Sequence, residues 1–268
     1  MDALPVKARA LVARYLDEVD AALPGFVEGL YAVGSIALGA WQIGRSDIDT
    51  LIVTSRAADA DELAVLAKIH AGMPAGPCFD GVYLDRVTFG SQPIDRRIVP
   101  FLVNGQLRTD KPCGELNPVV WLVLQRYGLP VRGPAVADLG LEVDLGALRR
   151  FNLDNLQTYW APLADEVRAA LHGLPDDELA DATECTGEGV VWCVLGPARL
   201  HFTLANDDVI PKAGAGAYVA AIVPAYGPLA DRAVRWRQGE PATFTVADAR
   251  AAADSIDAVV ADAVQRWG

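Results

Sequence analysis

The chain has little of what builds metal clusters or disulfide frameworks: 268 residues include 4 cysteines and 3 histidines. Cys78, Cys113, Cys185 and Cys193 are scattered, with no C-x-x-C pair and no histidine at zinc spacing. Neither a structural zinc site nor a disulfide scaffold is expected. Basic residues are also scarce, 23 Lys plus Arg against 35 Asp plus Glu, a formal charge of −12. Phosphate backbones are bound by clustered cations, so this balance argues against a nucleic-acid partner and for cationic ones. The N-terminus reaches Lys7, Arg9, Arg14, Asp17 and Glu18 without an apolar leader, so a cytoplasmic protein is expected. Residues 213–230 carry no charge, a length nominally able to span a bilayer. Their three Gly, two Pro and many Ala are too weakly apolar for that and read as helix, turn and the start of another helix; no membrane association is expected.

What is present suits a folded core, with 52% hydrophobic and 22% charged residues. Leu11, Val12, Tyr15, Leu16, Val19 and Leu23 recur at helical spacing, stopped by Pro24-Gly25. Leu30–Val33, Leu51–Thr54 and Gly81–Leu84 read as strands, with a helix from Asp59 to His70 between the last two. Val119–Tyr127 is a further helix, and Val131-Arg132-Gly133-Pro134 reads as connection. From residue 147 the pattern is helical: 148–159, 163–171, 190–203, 218–223 and 246–267. The reading is two domains, 1–146 with strands alternating with helices and 147–268 all helical.

The chemistry concentrates between Tyr31 and Val53. A strand runs into Gly34-Ser35, a short helical piece follows, and Ser46-Asp47-Ile48-Asp49 opens the next apolar strand, with eleven residues between Ser35 and Asp47. Residues two apart on a strand share a face, so Asp47 and Asp49 project together at roughly 6–7 Å. Two such carboxylates repel unless a cation lies between them. Oxygen ligands on a rigid strand suit magnesium completed by substrate phosphates. Gly34 lets backbone N–H groups and the Ser35 hydroxyl approach a phosphate closely. An Asp-x-Asp alone is most often a solvated strand end. The combination, in this order and between two apolar strands, points to a metal nucleotide.

Gly34-Ser35 followed by Asp47-Ile48-Asp49 resembles the signature of the nucleotidyltransferase superfamily that includes DNA polymerase beta. Trp192–Leu204 followed by Val209-Ile210-Pro211-Lys212 resembles the helical domain of streptomycin/spectinomycin-type aminoglycoside adenylyltransferases, and the position of Arg132-Gly133-Pro134 also fits. The resemblance covers most of the chain. It implies an α+β fold, with a polymerase-beta-like mixed sheet followed by a helical domain. It also implies transfer of AMP from ATP, the co-substrate, to an acceptor hydroxyl with two Mg²⁺ ions and release of pyrophosphate. Asp47 and Asp49 would hold the metals. Ser35 and Ser46 would contact the triphosphate beside Gly34, with Arg199 and Lys212 as fixed cations. A third carboxylate, base or metal ligand, comes from Asp80 or Asp85. Asp80, directly before Gly81–Leu84, is the preferred one, although the resembling enzymes usually carry Glu there.

The acceptor side follows from charge. Eight acidic residues lie between Asp165 and Glu188, with Arg168 the sole Lys or Arg. Most of them read as a solvated loop. A pocket for a polycationic sugar needs several carboxylates and an aromatic, and Glu184, Glu188, Trp192 and Trp160 are the candidates. The expected protein is a monomeric adenylyltransferase acting on an aminoglycoside. The alternatives are the same chemistry on another antibiotic, a metabolite or a protein, and a noncatalytic ligand-binding relative.

Overall fold

The computed structural model describes residues 1, 3–74, 76–89 and 97–268. The chain divides into two compact units, Met1–Asp144 and Leu145–Gly268.

The first unit is built on a mixed sheet. Helix α1 (Val6–Ala22) buries the stripe Leu11, Val12, Tyr15, Leu16 and Val19. It is followed by β1 (Val27–Ala32), the single turn α2 (Gly34–Ala37), β2 (Ile48–Thr54), α3 (Ala60–Ala71) and β3 (Phe79–Asp85). Then come α4 (Arg86–Phe89), β4 (Phe101–Val103), β5 (Gln106–Arg108), α5 (Pro118–Tyr127) and β6 (Leu129–Arg132). The six strands lie in the order β5-β4-β3-β2-β1-β6. β2 and β3 are parallel, joined through α3, and the other neighbours are antiparallel. Asp59 and Glu62 close a capping box at the start of α3, satisfying N–H groups the first turn would otherwise leave open. Asn117 caps α5, accepting from the N–H groups of Val119 and Val120. Such a cap is worth about 1 kcal/mol.

Strand alternation divides the sheet's work. Ile48, Ile52, Phe79 and Tyr83 turn into the core shared with Tyr15, Leu66 and Ile69. That alternation sends Asp49 and Asp80 to the opposite face. Two features differ from the sequence reading. Val131 and Arg132, read as connection, belong instead to β6, an edge strand on β1 that starts at Leu129, and a sheet edge is where Pro130 is tolerated. β4 and β5 form a hairpin turned at Asn104 and Gly105, both at positive φ (52° and 70°).

The second unit is helical: α6 (Leu145–Asn155), α7 (Ala161–Ala170), α8 (Gly187–Asn206), α9 (Lys212–Ile222), α10 (Gly227–Arg237) and α11 (Val246–Trp267). α6 and α7 do not part as the sequence suggests; a π turn over Leu156–Trp160 carries the helix through. α8 passes so close to that turn that a Cβ at Gly196 would stand 2.2 Å from the Trp160 ring. His201 is buried on α8, its Nδ1 2.8 Å from the Tyr218 hydroxyl and its Nε2 2.7 Å from Asp262. It thereby ties α8 to α9 and α11. Among the described residues no helix is long and apolar enough to cross a membrane. The uncharged stretch 213–230 is helix, turn and helix.

Candidate active site

The site begins where β1 ends. The Val33 N–H donates to the Asp49 carbonyl at 2.9 Å, bringing the following turn against β2. Gly34 enters that turn at φ +56°, and a Cβ there would lie 2.0 Å from Asp49 Oδ2. Glycine is needed for both reasons. The Ser35 N–H donates to the Asp49 carboxylate, while the Ser35 hydroxyl oxygen is buried with no hydrogen-bond partner. A buried hydroxyl costs free energy until it is partnered.

Asp47 is exposed just ahead of β2, and Asp49 is half-buried within it. The Trp41 indole donates to the Asp47 carbonyl at 3.2 Å, and the Cys78 thiol lies against the Asp47 carboxylate. Ser46 is buried, its hydroxyl oxygen accepting the Gln42 N–H at 3.1 Å. It shapes the loop before Asp47 rather than standing open to a phosphate.

Asp80 does not precede its strand, as the sequence reading has it, but is the second residue of β3 and the direct register partner of Asp49. Its two oxygens accept the N–H groups of Gly105 at 2.9 Å and Asn104 at 3.2 Å. Asp85 lies at the other end of β3, opposite Thr54, where it accepts from Val87 and Thr88 at the start of α4. Its bond from the Thr88 hydroxyl holds its carboxyl below the ordinary range. The sheet thus gathers Asp47, Asp49 and Asp80 at one end and leaves Asp85 away from them.

Glu115 joins them from the loop before α5, unannounced by any sequence motif. Its side chain reaches solvent, yet the surrounding protein and then the Asp80 charge raise its pKa. Asp49 is pushed up to about 7, first by burial and then by the charges of Glu115, Asp47 and Asp80, with the Ser35 N–H opposing. Asp80 is raised by burial and the Asp47 charge, against its two backbone hydrogen bonds. Among the described residues, no Lys or Arg is ion-paired with any of these four carboxylates.

A divalent cation suits this donor set by its charge. Among the described residues no three His, Cys, Asp or Glu side chains form a ready-made metal site. Magnesium asks for less, typically one or two carboxylates completed by water and phosphates. Asp47 and Asp49 fit it as hard oxygen donors whose mutual repulsion a cation relieves. Asp80, with both oxygens occupied by N–H groups, differs from a free metal ligand.

In the helical unit, Trp192 is 40% exposed, whereas Trp160 is 2% exposed and belongs to the core. Their rings lie 5.3 Å apart. Trp160 therefore supports Trp192 rather than offering a surface of its own, which corrects its expected acceptor contact. The Lys212 ammonium sits 5.0 Å from the Trp192 ring centroid, a cation–π arrangement. Arg199 donates from Nε to the Ile210 carbonyl at 3.2 Å, pinning the turn that leads to Lys212. Glu184 and Glu188 are both exposed, Glu188 in the first turn of α8.

Residues 12–76 match the family model described as a nucleotidyltransferase domain. No curated protein matches the sequence significantly. Among solved structures, the fold is similar to that of the spectinomycin adenyltransferase AAD(9) from Enterococcus faecialis, solved with ATP and spectinomycin. The TM-score is 0.64, with 15% identity over 94% of this chain and 99% of that one.

Proposed function

We propose that the chain is a Mg-ATP-dependent adenylyltransferase that transfers AMP to a hydroxyl of an aminoglycoside or aminocyclitol and releases pyrophosphate. The observation that supports the proposal is the fit of Gly34 against Asp49, which sets a Ser35 hydroxyl with no hydrogen-bond partner among the described residues beside a group of carboxylates whose charges oppose one another. Asp47 and Asp49 would hold the magnesium. When bound, it offsets charge on the triphosphate and makes the α-phosphorus a better electrophile.

The rest falls to the chain's own groups. The Ser35 hydroxyl donates to a phosphate oxygen, the partner it lacks. Asp80 braces the Asn104-Gly105 turn at the edge of the acidic cluster. In the helical unit, Lys212 supplies positive charge for the phosphates, and Arg199 acts through the Ile210 carbonyl to position it. Glu184, Glu188 and the exposed Trp192 attract and seat the ammonium groups of the acceptor. A monomer in the ATP-rich cytoplasm suits this reading. A screen of aminocyclitol and aminoglycoside acceptors with Mg-ATP, read by pyrophosphate release, tests it. Turnover with at least one acceptor is expected, and none with any would refute the acceptor class.

A further inference from the structure

A lysine ammonium rides on a flexible four-carbon stem, so its charge is preorganised only where something fixes it. Lys212 opens α9, where the positive end of the helix dipole disfavours a cation. Its backbone is set by the turn around it: Arg199 Nε donates to the Ile210 carbonyl at 3.2 Å, and the Gly214 N–H donates to the Pro211 carbonyl at 2.9 Å. Gly214 leaves room for Ile210, whose Cγ1 would stand 2.7 Å from a Cβ there. These contacts fix the main chain and do not reach the ammonium.

The Trp192 ring does reach it: the Lys212 Nζ lies 5.0 Å from its centroid, within the range at which an indole face attracts a cation. At 40% exposure Trp192 is not a core side chain, yet its ring leans on Trp160, with centroids 5.3 Å apart and planes 33° from parallel. Trp192 and Gly196, four apart on α8, share a helix face, and Trp160 lies against both. A Cβ at Gly196 would stand 2.2 Å from Trp160 Cη2, so glycine is what lets the ring settle there. The π turn over Leu156–Trp160 presents that ring, and such turns are rare and frequent at functional sites. The contacts run without a break from Gly196 through Trp160 and Trp192 to the Lys212 ammonium, all within the helical unit.

We infer that Trp192 is a positioning residue for Lys212: its ring holds the ammonium where it meets the phosphates, and Trp160, seated over Gly196, holds the ring. The inference rests on the transferase reading above, and it gives Trp192 a role toward the nucleotide besides its contact with the acceptor. An ammonium has three N–H donors, so it can face the ring and still donate to phosphate oxygens.

The test is calorimetry of Mg-ATP binding without acceptor, on wild type, Lys212→Met, Trp192→Leu, Trp192→Phe and each Trp192 variant combined with Lys212→Met. Lys212→Met should cost about tenfold or more in affinity. Trp192→Leu should cost about threefold to fivefold, the scale of an exposed cation–π contact, and Trp192→Phe less, since a ring remains. In the Lys212→Met background either Trp192 variant should stay within about 1.5-fold, because the ring then has no ammonium to hold. Melting curves check that each variant is folded, and Trp192→Phe, which keeps a ring beside Trp160, carries the cycle should Trp192→Leu unfold. An equal loss in both backgrounds marks a merely structural tryptophan and overturns the inference. So does a Trp192→Leu variant with wild-type affinity, which leaves the ring to the acceptor, or with tighter affinity, which makes the ring a competitor for the ammonium. If wild type and Lys212→Met bind Mg-ATP equally, Lys212 does not meet the phosphates and the inference fails while the remaining transferase reading stands. A wild type that does not bind Mg-ATP overturns both.

Discussion

Gly34 and Asp49 are fitted to each other: the space a Cβ would need at Gly34 is filled by the Asp49 carboxylate, whose Oδ2 would lie 2.0 Å from it. Gly34→Ala therefore cannot be accommodated without moving Asp49, and it also places an alanine at φ +56°. The variant should lose about 1–3 kcal/mol of stability and its Mg-dependent ATP binding, while Gly39→Ala, at φ +63° with open space around it, should lose stability but keep binding. Thermal melts and calorimetry on the two variants separate backbone strain from the loss of the carboxylate position.

The crowding of carboxylates sets a pH dependence. The pKa of Asp49 is raised from 3.8 to about 7 in the fold, so folding opposes its ionisation. Stability from this group is intact below pH 4 and is lost as pH rises from about 4 to 7. At pH 8 without metal, Asp49→Asn should melt higher than wild type, by about 2–4 °C for each kcal/mol relieved. Added Mg²⁺ should narrow the difference by stabilising wild type. Melting curves at pH 5 and 8, with and without the metal, report both effects.

A second pH effect has the opposite sign. His70 is 4% exposed, its Nε2 2.6 Å from the Tyr83 hydroxyl, which in turn meets the Tyr15 hydroxyl at 2.7 Å. Burial lowers its pKa from 6.5 to about 4, against a small opposing influence from Glu18. The fold thus holds His70 neutral, a contribution fully present above pH 6.5 and lost as pH falls from there to about 4. Wild type should lose up to about 1.4 kcal/mol per pH unit through this residue in that window. His70→Gln, less stable at pH 7, should show a shallower slope. Urea unfolding at pH 7, 6 and 5 measures it.

For the acceptor, Glu184→Gln and Glu188→Gln should raise KM for a polycationic substrate while kcat changes less, because attraction between full charges is already felt in the ground state. The difference from wild type should shrink at about 1 M salt, where the Debye length falls to about 3 Å. Steady-state kinetics at two ionic strengths decide it. Equal KM values at low salt would remove these residues from the acceptor site.

The motif was legible because its parts are local: Gly34-Ser35 and Asp47-x-Asp49 are separated by one loop, and periodicity marks α11 at its observed limits, Val246–Trp267. Helix α5 declares itself by its apolar run and Asn117-Pro118 cap. What depends on pairing was harder to read. Asp80 looks like a turn residue before Gly81, and only β2, pairing Asp49 with it, draws it into the strand. Pro130 and Gly133 disguise β6, whose strand character exists because β1 lies beside it. Asn104-Gly105 between Phe101–Val103 and Gln106–Arg108 is a hairpin signal present in the sequence, but three-residue strands carry almost no periodicity of their own. Pro162 suggests a helix start that the π turn at Leu156–Trp160 makes unnecessary. Glu115 has no local signature, since what relates it to the motif is a loop folding back toward Asp49, 66 positions earlier.

The central claim is that Asp47 and Asp49 are a site for a metal nucleotide, and calorimetric titration of ATP into wild type, Asp47→Asn and Asp49→Asn, with and without Mg²⁺, tests it most directly. Wild type should bind ATP at least about tenfold more tightly with the metal, a difference of about 1.4 kcal/mol, and each Asn variant should lose that gain while remaining folded. Equal affinity of wild type for ATP in the two buffers, or an undiminished Mg²⁺ effect in both variants, would contradict it.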